Sequence, residues 1–508
     1  MSRQSLGTLK ERFSKKISDL WVRTFIRLKL NNWLGILVLA GIASMFGYLL
    51  ATDMLVGMAL FALIAGLFIV ILCFTNIVVG FNLLLFVGFF GYFFSMLTDG
   101  SLPIGMLYDC LVLINFLGLI MSGKDFKQSW KQFTKSPIVL FMFIPLFYSM
   151  VEMFNPQTAG LNATNIMAVR KFLEYVLILF MAYTIFDTYK MLRRYVFYML
   201  GMATVCALYG CIQEWHGLFP FEMRFIMSNP LSFNLLFVGG TFRKFSTMSD
   251  PATFGIVMSA CAVFFTILAF SEKNKLIRLT FIGCVILMIL GLTYSGTRTA
   301  YATTIGGLGF FVFFNIDKPT IQKFAVAMVF LFLVLEFGPF SGNAAVRRFR
   351  STFEGSKDES MNVRLKARAW LKPFLYSHPI GGGLGTTGFA GAANYPGNPL
   401  ALFMPDSGYV LKAAETGWIG LFIVVILYFM ILKTGIRGFF RTKDPTMKLY
   451  YSAATSAIMS FYLAEYTQPA VGGISDSGLY LAFLAIILNL NKHVDNPEPW
   501  YAEEKANA

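Results

Sequence analysis

The chain has 508 residues, of which 56% are hydrophobic, 17% aromatic and only 14% charged, with a mean hydropathy of +0.64. Soluble domains carry about 25% charged residues, and none of this size could hide so much apolar surface. The formal charge of +15 would indicate nucleic acid only if Lys and Arg formed a patch; here they punctuate apolar runs, as topology and the lipid bilayer require, and no nucleic-acid partner is read.

The apolar runs are about 20 residues long, the length a helix needs to cross about 30 Å of hydrocarbon, and they lack the alternation of β-barrel strands. The pattern predicts an all-α polytopic membrane protein with about 14 transmembrane helices, within a range of 12–14. Residues 1–32 place Leu6, Leu9, Phe13, Ile17 and Leu20 at helical spacing among Lys and Arg. They read as a cytoplasmic amphipathic segment in the membrane plane or as a charged topogenic tail. The first apolar run begins only near Trp33, too late for a cleavable signal.

Spans follow at 33–51, 54–73, 76–97, 102–122, 137–154, 166–186, 195–213, 252–270, 277–295, 299–316, 323–338, 408–432, 449–465 and 475–490. They divide the chain into a bundle of about 11 helices over 33–338, a large extracytoplasmic loop over 339–407, C-terminal helices over 408–490 and a cytoplasmic tail over 491–508. With the N-terminus inside, the connectors 124–135, 187–194, 272–278, 317–323 and 433–448 are cytoplasmic, and all are rich in Lys and Arg. The six cysteines sit in apolar spans without a CxxC pair, so neither a disulfide framework nor a zinc site is indicated.

The outer loop breaks the charge trend. Residues 339–407 hold eight Lys and Arg against the four acids Glu354, Asp358, Glu359 and Asp406. Such an excess on the outer face predicts an anionic ligand. Within the loop, Met361 to Tyr376 has helical apolar spacing and is expected to lie over the bundle, stopped by His378-Pro379.

Arg298 in YSGTRTAY and Arg243 in RKFSTMSDPATFG fall where outer turns meet spans. A guanidinium suits a diphosphate because its planar fork donates two parallel hydrogen bonds and stays charged; the bland alternative is snorkelling to headgroups. Asp250 and Asp476 read as helix N-caps. Asp406 is the candidate general base on an acceptor hydroxyl. Glu415 lies inside a span and is either catalytic or paired with Lys412, three residues earlier. The run Gly383 to Gly388 spells GxGxxG, but no strand precedes it, so it reads as a turn whose N–H groups could approach a phosphate and not as a dinucleotide site. No metal motif or cofactor is indicated; guanidinium groups would do the charge neutralisation.

These stretches, with RLKARAWLKPFLYSHPIGGGLGTTGF (364–389) and DSGYVLKAAETGWIGL (406–421), resemble the O-antigen ligase and O-antigen polymerase superfamily of bacterial cell-envelope enzymes. The resemblance implies a GT-C-like, metal-independent membrane glycosyltransferase whose donor is an undecaprenyl-diphosphate-linked oligosaccharide and whose acceptor is a glycan. It places the enzyme in the cytoplasmic membrane with both termini inside and the site on the outer face. Carried over, Arg243 and Arg298 would contact the diphosphate, with Arg364 and Arg368 adding to the pocket. Ligases of the family carry a His where this chain has Asp406, which favours a polymerase making surface or exopolysaccharide over a ligase loading a lipopolysaccharide core. A chain-length regulator stays open as a partner. A flippase is the alternative of another class, disfavoured because no internal repeat is evident and the cations gather at one surface.

Overall fold

The computed structural model describes residues 33–52, 54–122, 126–158, 163–228, 233, 236–238, 240–340, 342, 344–353 and 359–501. The expected amphipathic segment over 1–32 lies outside them, as do residues 354–358 of the large loop.

The elements run in order as α1 (Trp33–Thr52), α2 (Met54–Thr75), α3 (Ile77–Leu97), α4 (Ile104–Met121), α5 (Phe126–Thr134), α6 (Pro137–Glu152), α7 (Ala163–Ile185), α8 (Tyr189–Trp215) and α9 (Pro220–Met227). A short hairpin, β1 (Phe237–Val238) and β2 (Thr241–Phe242), precedes α10 (Pro251–Ser271), α11 (Lys275–Tyr294), α12 (Arg298–Phe314) and α13 (Pro319–Phe337). The loop contributes α14 (Ala344–Ser351), α15 (Glu359–Ser377) and α16 (Gly388–Asn394), and the chain ends with α17 (Gly408–Arg441), α18 (Pro445–Ala464) and α19 (Ile474–His493).

Proline marks many of the starts. Pro137, Pro220, Pro251, Pro319 and Pro445 each occupy the first turn after an extended residue. There the missing N–H costs nothing and the fixed φ already suits a helix. Asp250 caps α10 as expected, accepting from the amides of Ala252 and Thr253, both at 2.9 Å. Asp476 corrects the expectation: Gly473 is the N-cap of α19, and Asp476 lies buried in the first turn.

Every expected apolar span coincides with a helix, so the protein is an all-α polytopic membrane protein. Among the described residues, eight helices are long and apolar enough to cross a membrane, or nine if α5 and α6, bent by 85°, form one span. α18 is not among them, and its hydroxyl side chains face protein. On α18, Ser452, Thr455, Ser456 and Ser460 are all buried, and Ser460 donates to Thr303 O on α12 at 3.0 Å. The most apolar stretches of α10 and α19 are 83% buried, against 6% for α13, which places the first two in the interior and the last at the rim.

The contacts form two compact units, residues 1–84 with 109–131, and residues 85–108 with 132–508. In the first, Gly118 brings α4 onto α2, since an added Cβ would sit 2.9 Å from Cys73 O. The second contains every candidate site residue. Its helices stand between two ends. At one end lie the α11–α12 turn, the starts of α10, α17 and α19, and the large loop. At the other lie the ends of α17 and α19, linked by Arg441–Asp495 at 2.5 Å, with Lys492 of α19 paired to Asp187 in the α7–α8 turn.

Candidate functional site

Arg243 is delivered by the hairpin. Phe237 pairs with Phe242 and Val238 with Thr241, and the Arg243 amide extends the ladder to Leu236 O at 2.9 Å. The chain then turns inward with Ser246 at a φ of 54°. A non-glycine residue there is strained by about 1–3 kcal/mol and needs its surroundings to hold it. Gln213 Oε1 accepts from the Ser246 amide at 2.8 Å, and Ser246 Oγ donates to Cys206 O at 2.6 Å. Lys244, the next cation, is taken by Glu214 at 3.3 Å. Arg243 alone is left to face the α11–α12 turn. Its Nε donates to Ser295 O at 3.1 Å and its Nη2 to Thr297 Oγ1 at 2.8 Å. Arg298, at the first position of α12, is the residue after that threonine. The two expected arginines, distant in sequence, therefore meet at one turn.

A third guanidinium joins them that sequence reasoning did not single out. In RRFR (347–350), Arg347 Nη1 donates to Gly342 O at 2.9 Å. Arg350 donates to Leu335 O at 2.8 Å and to Gly338 O, closing the C-terminal end of α13. Arg348 instead points over Gly296, where an added Cβ would overlap its Nη1. Phe349 pins the helix, packing edge-on to Tyr301 with centroids 5.5 Å apart. The one signal in the sequence was the glycine of YSGTR, which has a φ of 59° and leaves room for a neighbour.

The three charges press on one another. Burial, then Arg348, pushes the Arg243 guanidinium down to about 10, with Arg298 adding and Asp250 opposing. Burial, reinforced by Arg298 against the pull of Tyr301, also lowers Arg348. Among the described residues neither Arg243 nor Arg348 has a carboxylate within ion-pair distance. A half-buried cationic cluster of this kind is costly until an anion enters it.

Other candidates have partners of their own. Arg364 Nε lies 3.0 Å from Asp406 Oδ2. Arg368 stacks 4.8 Å from the Tyr466 ring centroid and donates to Tyr466 O at 3.2 Å. Next along, Thr467 Oγ1 meets Thr299 Oγ1 at 2.6 Å, which ties this second group to the residue after Arg298. Arg368 is thus joined through Tyr466 and Thr467 to the turn that carries Arg298.

Glu415 does not take Lys412. Lys412 reaches Glu465 at 3.1 Å across to the end of α18, where Glu465 also accepts from the amides of Ala470 at 3.2 Å and Val471 at 2.8 Å. Glu415 Oε1 accepts instead from Thr387 Oγ1 at 2.6 Å. It sits where α17 breaks at Gly417, with φ 66° and ψ −169°. The glycine run wedges into that break: the amides of Gly382 and Gly383 donate to Ala414 O at 2.8 Å and Glu415 O at 2.9 Å. Those N–H groups are therefore committed to the helix and not offered to a phosphate. His378 stacks on Phe374 at 4.2 Å and shapes the turn before the run.

Fold and site together define a multi-pass helical membrane protein with a cationic cluster at one end of its bundle. Residues 283–425 match the family model for O-antigen ligase, which is consistent with the O-antigen ligase and polymerase superfamily. Members of that family transfer glycosyl groups. The matched stretch takes in Arg298, Arg348, Arg364, Arg368, Asp406 and Glu415, and leaves Arg243 outside. Comparison with curated proteins finds no match to this chain.

Proposed function

We propose that the protein is a polymerase-type glycosyltransferase that joins undecaprenyl-diphosphate-linked oligosaccharide units on the outer face of the bacterial cytoplasmic membrane. The observation that carries the reading is the convergence of Arg243, Arg298 and Arg348, with no carboxylate paired to Arg243 or Arg348 among the described residues. A diphosphate is the ligand that such a cluster suits, since each guanidinium can grip it through paired hydrogen bonds. The Lys- and Arg-rich connectors at the opposite end support the reading that this end of the bundle faces outside.

In this mechanism the hydroxyl of an acceptor sugar attacks the anomeric carbon of the donor. The new glycosidic C–O bond forms as the bond to the lipid diphosphate breaks, and the electron pair leaves on the diphosphate. Its growing charge is held by Arg243, Arg298 and Arg348. Asp406 takes the hydroxyl proton, oriented by Arg364. Glu415 acts at one remove, holding Thr387 and the glycine run in place.

The test is the purified protein in nanodiscs with a defined lipid-linked repeat unit. A ladder of longer lipid-linked glycans is expected. Transfer only to an added lipopolysaccharide-core acceptor would make it a ligase, and transport without transfer would make it a flippase; either result overturns the polymerase reading.

A further inference from the structure

The end of the bundle opposite the arginine cluster contains a cavity of about 970 Å³ between the start of α6 and the ends of α17 and α19. Lys135, Lys433, Arg437, Arg441 and Lys492 all line it, and no acidic side chain does. Arg441 and Lys492 are answered from the rim by Asp495 and Asp187. Lys135, Lys433 and Arg437 have no ion-pair partner among the described residues.

The spacing sharpens the point. Lys433, Arg437 and Arg441 follow one another at four-residue intervals on α17, which stacks like charges along a single helix face. That arrangement is destabilising by itself. Topological signalling asks only for cations near this end, in any direction. It does not ask that they converge on one hollow. The rest of the wall is mixed: Met430, Ile436, Phe440 and Leu488 share the space with the hydrogen-bonding side chains of Gln132, Ser136, Thr434 and Asn491. Cations, hydrogen-bonding groups and apolar side chains in one hollow match a phosphate headgroup and the start of its acyl chains, and basic pockets between membrane helices hold anionic lipid in this way.

We propose that this cavity is a binding site for the phosphodiester headgroup of an anionic bilayer phospholipid, with Lys135, Lys433 and Arg437 gripping the phosphate. The site is separate from the arginine cluster, so it stands or falls independently of the glycosyltransferase reading.

The experiment is native mass spectrometry of the detergent-solubilised full chain, titrated with phosphatidylglycerol. It uses wild type, the K135Q/K433Q/R437Q variant and a control, K275Q/K323Q/K443Q, which removes equal charge from exposed lysines outside the cavity. At about 1 kcal/mol per cation, the cavity variant should retain phosphatidylglycerol roughly 100-fold more weakly. The control should stay within about threefold of wild type, and phosphatidylcholine should not be retained by any of the three. Equal loss in the control would mean diffuse attraction and would sink the proposal. Displacement of the lipid by equimolar inorganic phosphate would identify a free-phosphate site and would equally defeat it. Both variants are first checked for wild-type circular dichroism and elution volume. Should the cavity variant misfold, the single substitution R437Q serves, expected to weaken retention by roughly fivefold.

Discussion

The Arg348 guanidinium fills the space that a side chain on Gly296 would need. Gly296 also has a φ of 59°, a conformation costing about 1–2 kcal/mol for any residue with a Cβ. Gly296→Ala is therefore expected to lose about that much stability and, by displacing Arg348, to cut glycosyl transfer by roughly 100-fold. Turnover of defined lipid-linked substrate checks this, and full activity would show that Arg348 is not positioned by the turn.

Arg298→Ala should abolish chain growth, a loss of roughly 10²–10³ in turnover, with membrane insertion unchanged. Arg298→Lys should also do badly, because an ammonium cannot reproduce the two parallel bonds of a guanidinium. Polymer of normal length from either variant, with wild-type amounts of protein in the membrane, would remove Arg298 from the site.

Arg348→Gln separates binding from stability. Since Arg348 disfavours the charged form of Arg243, and Arg298 that of Arg348, removing the Arg348 charge should leave the empty protein at least as heat-stable as wild type while weakening donor affinity. A lowered melting temperature would mean that Arg348 holds the fold.

The same electrostatics give a pH dependence. Arg243, pushed down to about 10, carries its charge below that pH and loses it above, where an ordinary guanidinium would remain protonated. Affinity for a non-hydrolysable lipid diphosphate should be flat up to about pH 9 and fall as pH rises through about 10. In Arg243→Gln that fall should vanish.

Asp406→Asn is expected to lower turnover by roughly 10²–10⁴ if its carboxylate takes the proton. The Arg364→Gln/Asp406→Asn double variant should be no worse than Asp406→Asn alone, because Arg364 acts through Asp406. Additive losses would assign Arg364 a contact of its own with substrate.

Glu465 is buried beneath Lys412 and two backbone amides. Removing one partner of such a pair costs about 3–5 kcal/mol. Glu465→Ala should give little folded protein by size-exclusion of detergent extracts, whereas Glu415→Ala should fold and lose activity through the glycine run.

Much of this architecture could be read from residue order. Apolar runs long enough for a bilayer announced the helices from Trp33 onward. Arg243 and Arg298 were legible too, because cations in glycine- and hydroxyl-rich turns stand out against oil. These are short-range signals, carried within a turn or two of helix.

Partnership was not legible. Three arginines in RRFR look alike, and only the position of the α13 end, with its open carbonyls at Leu335 and Gly338, draws Arg350 away and leaves Arg348 for the cluster. Lys412 and Glu415 have helical spacing, yet Lys412 turns to Glu465 because α18 ends beside the start of α17. Ion pairs depend on which distant elements stop at the same level of the bundle, and only packing in three dimensions sets that level.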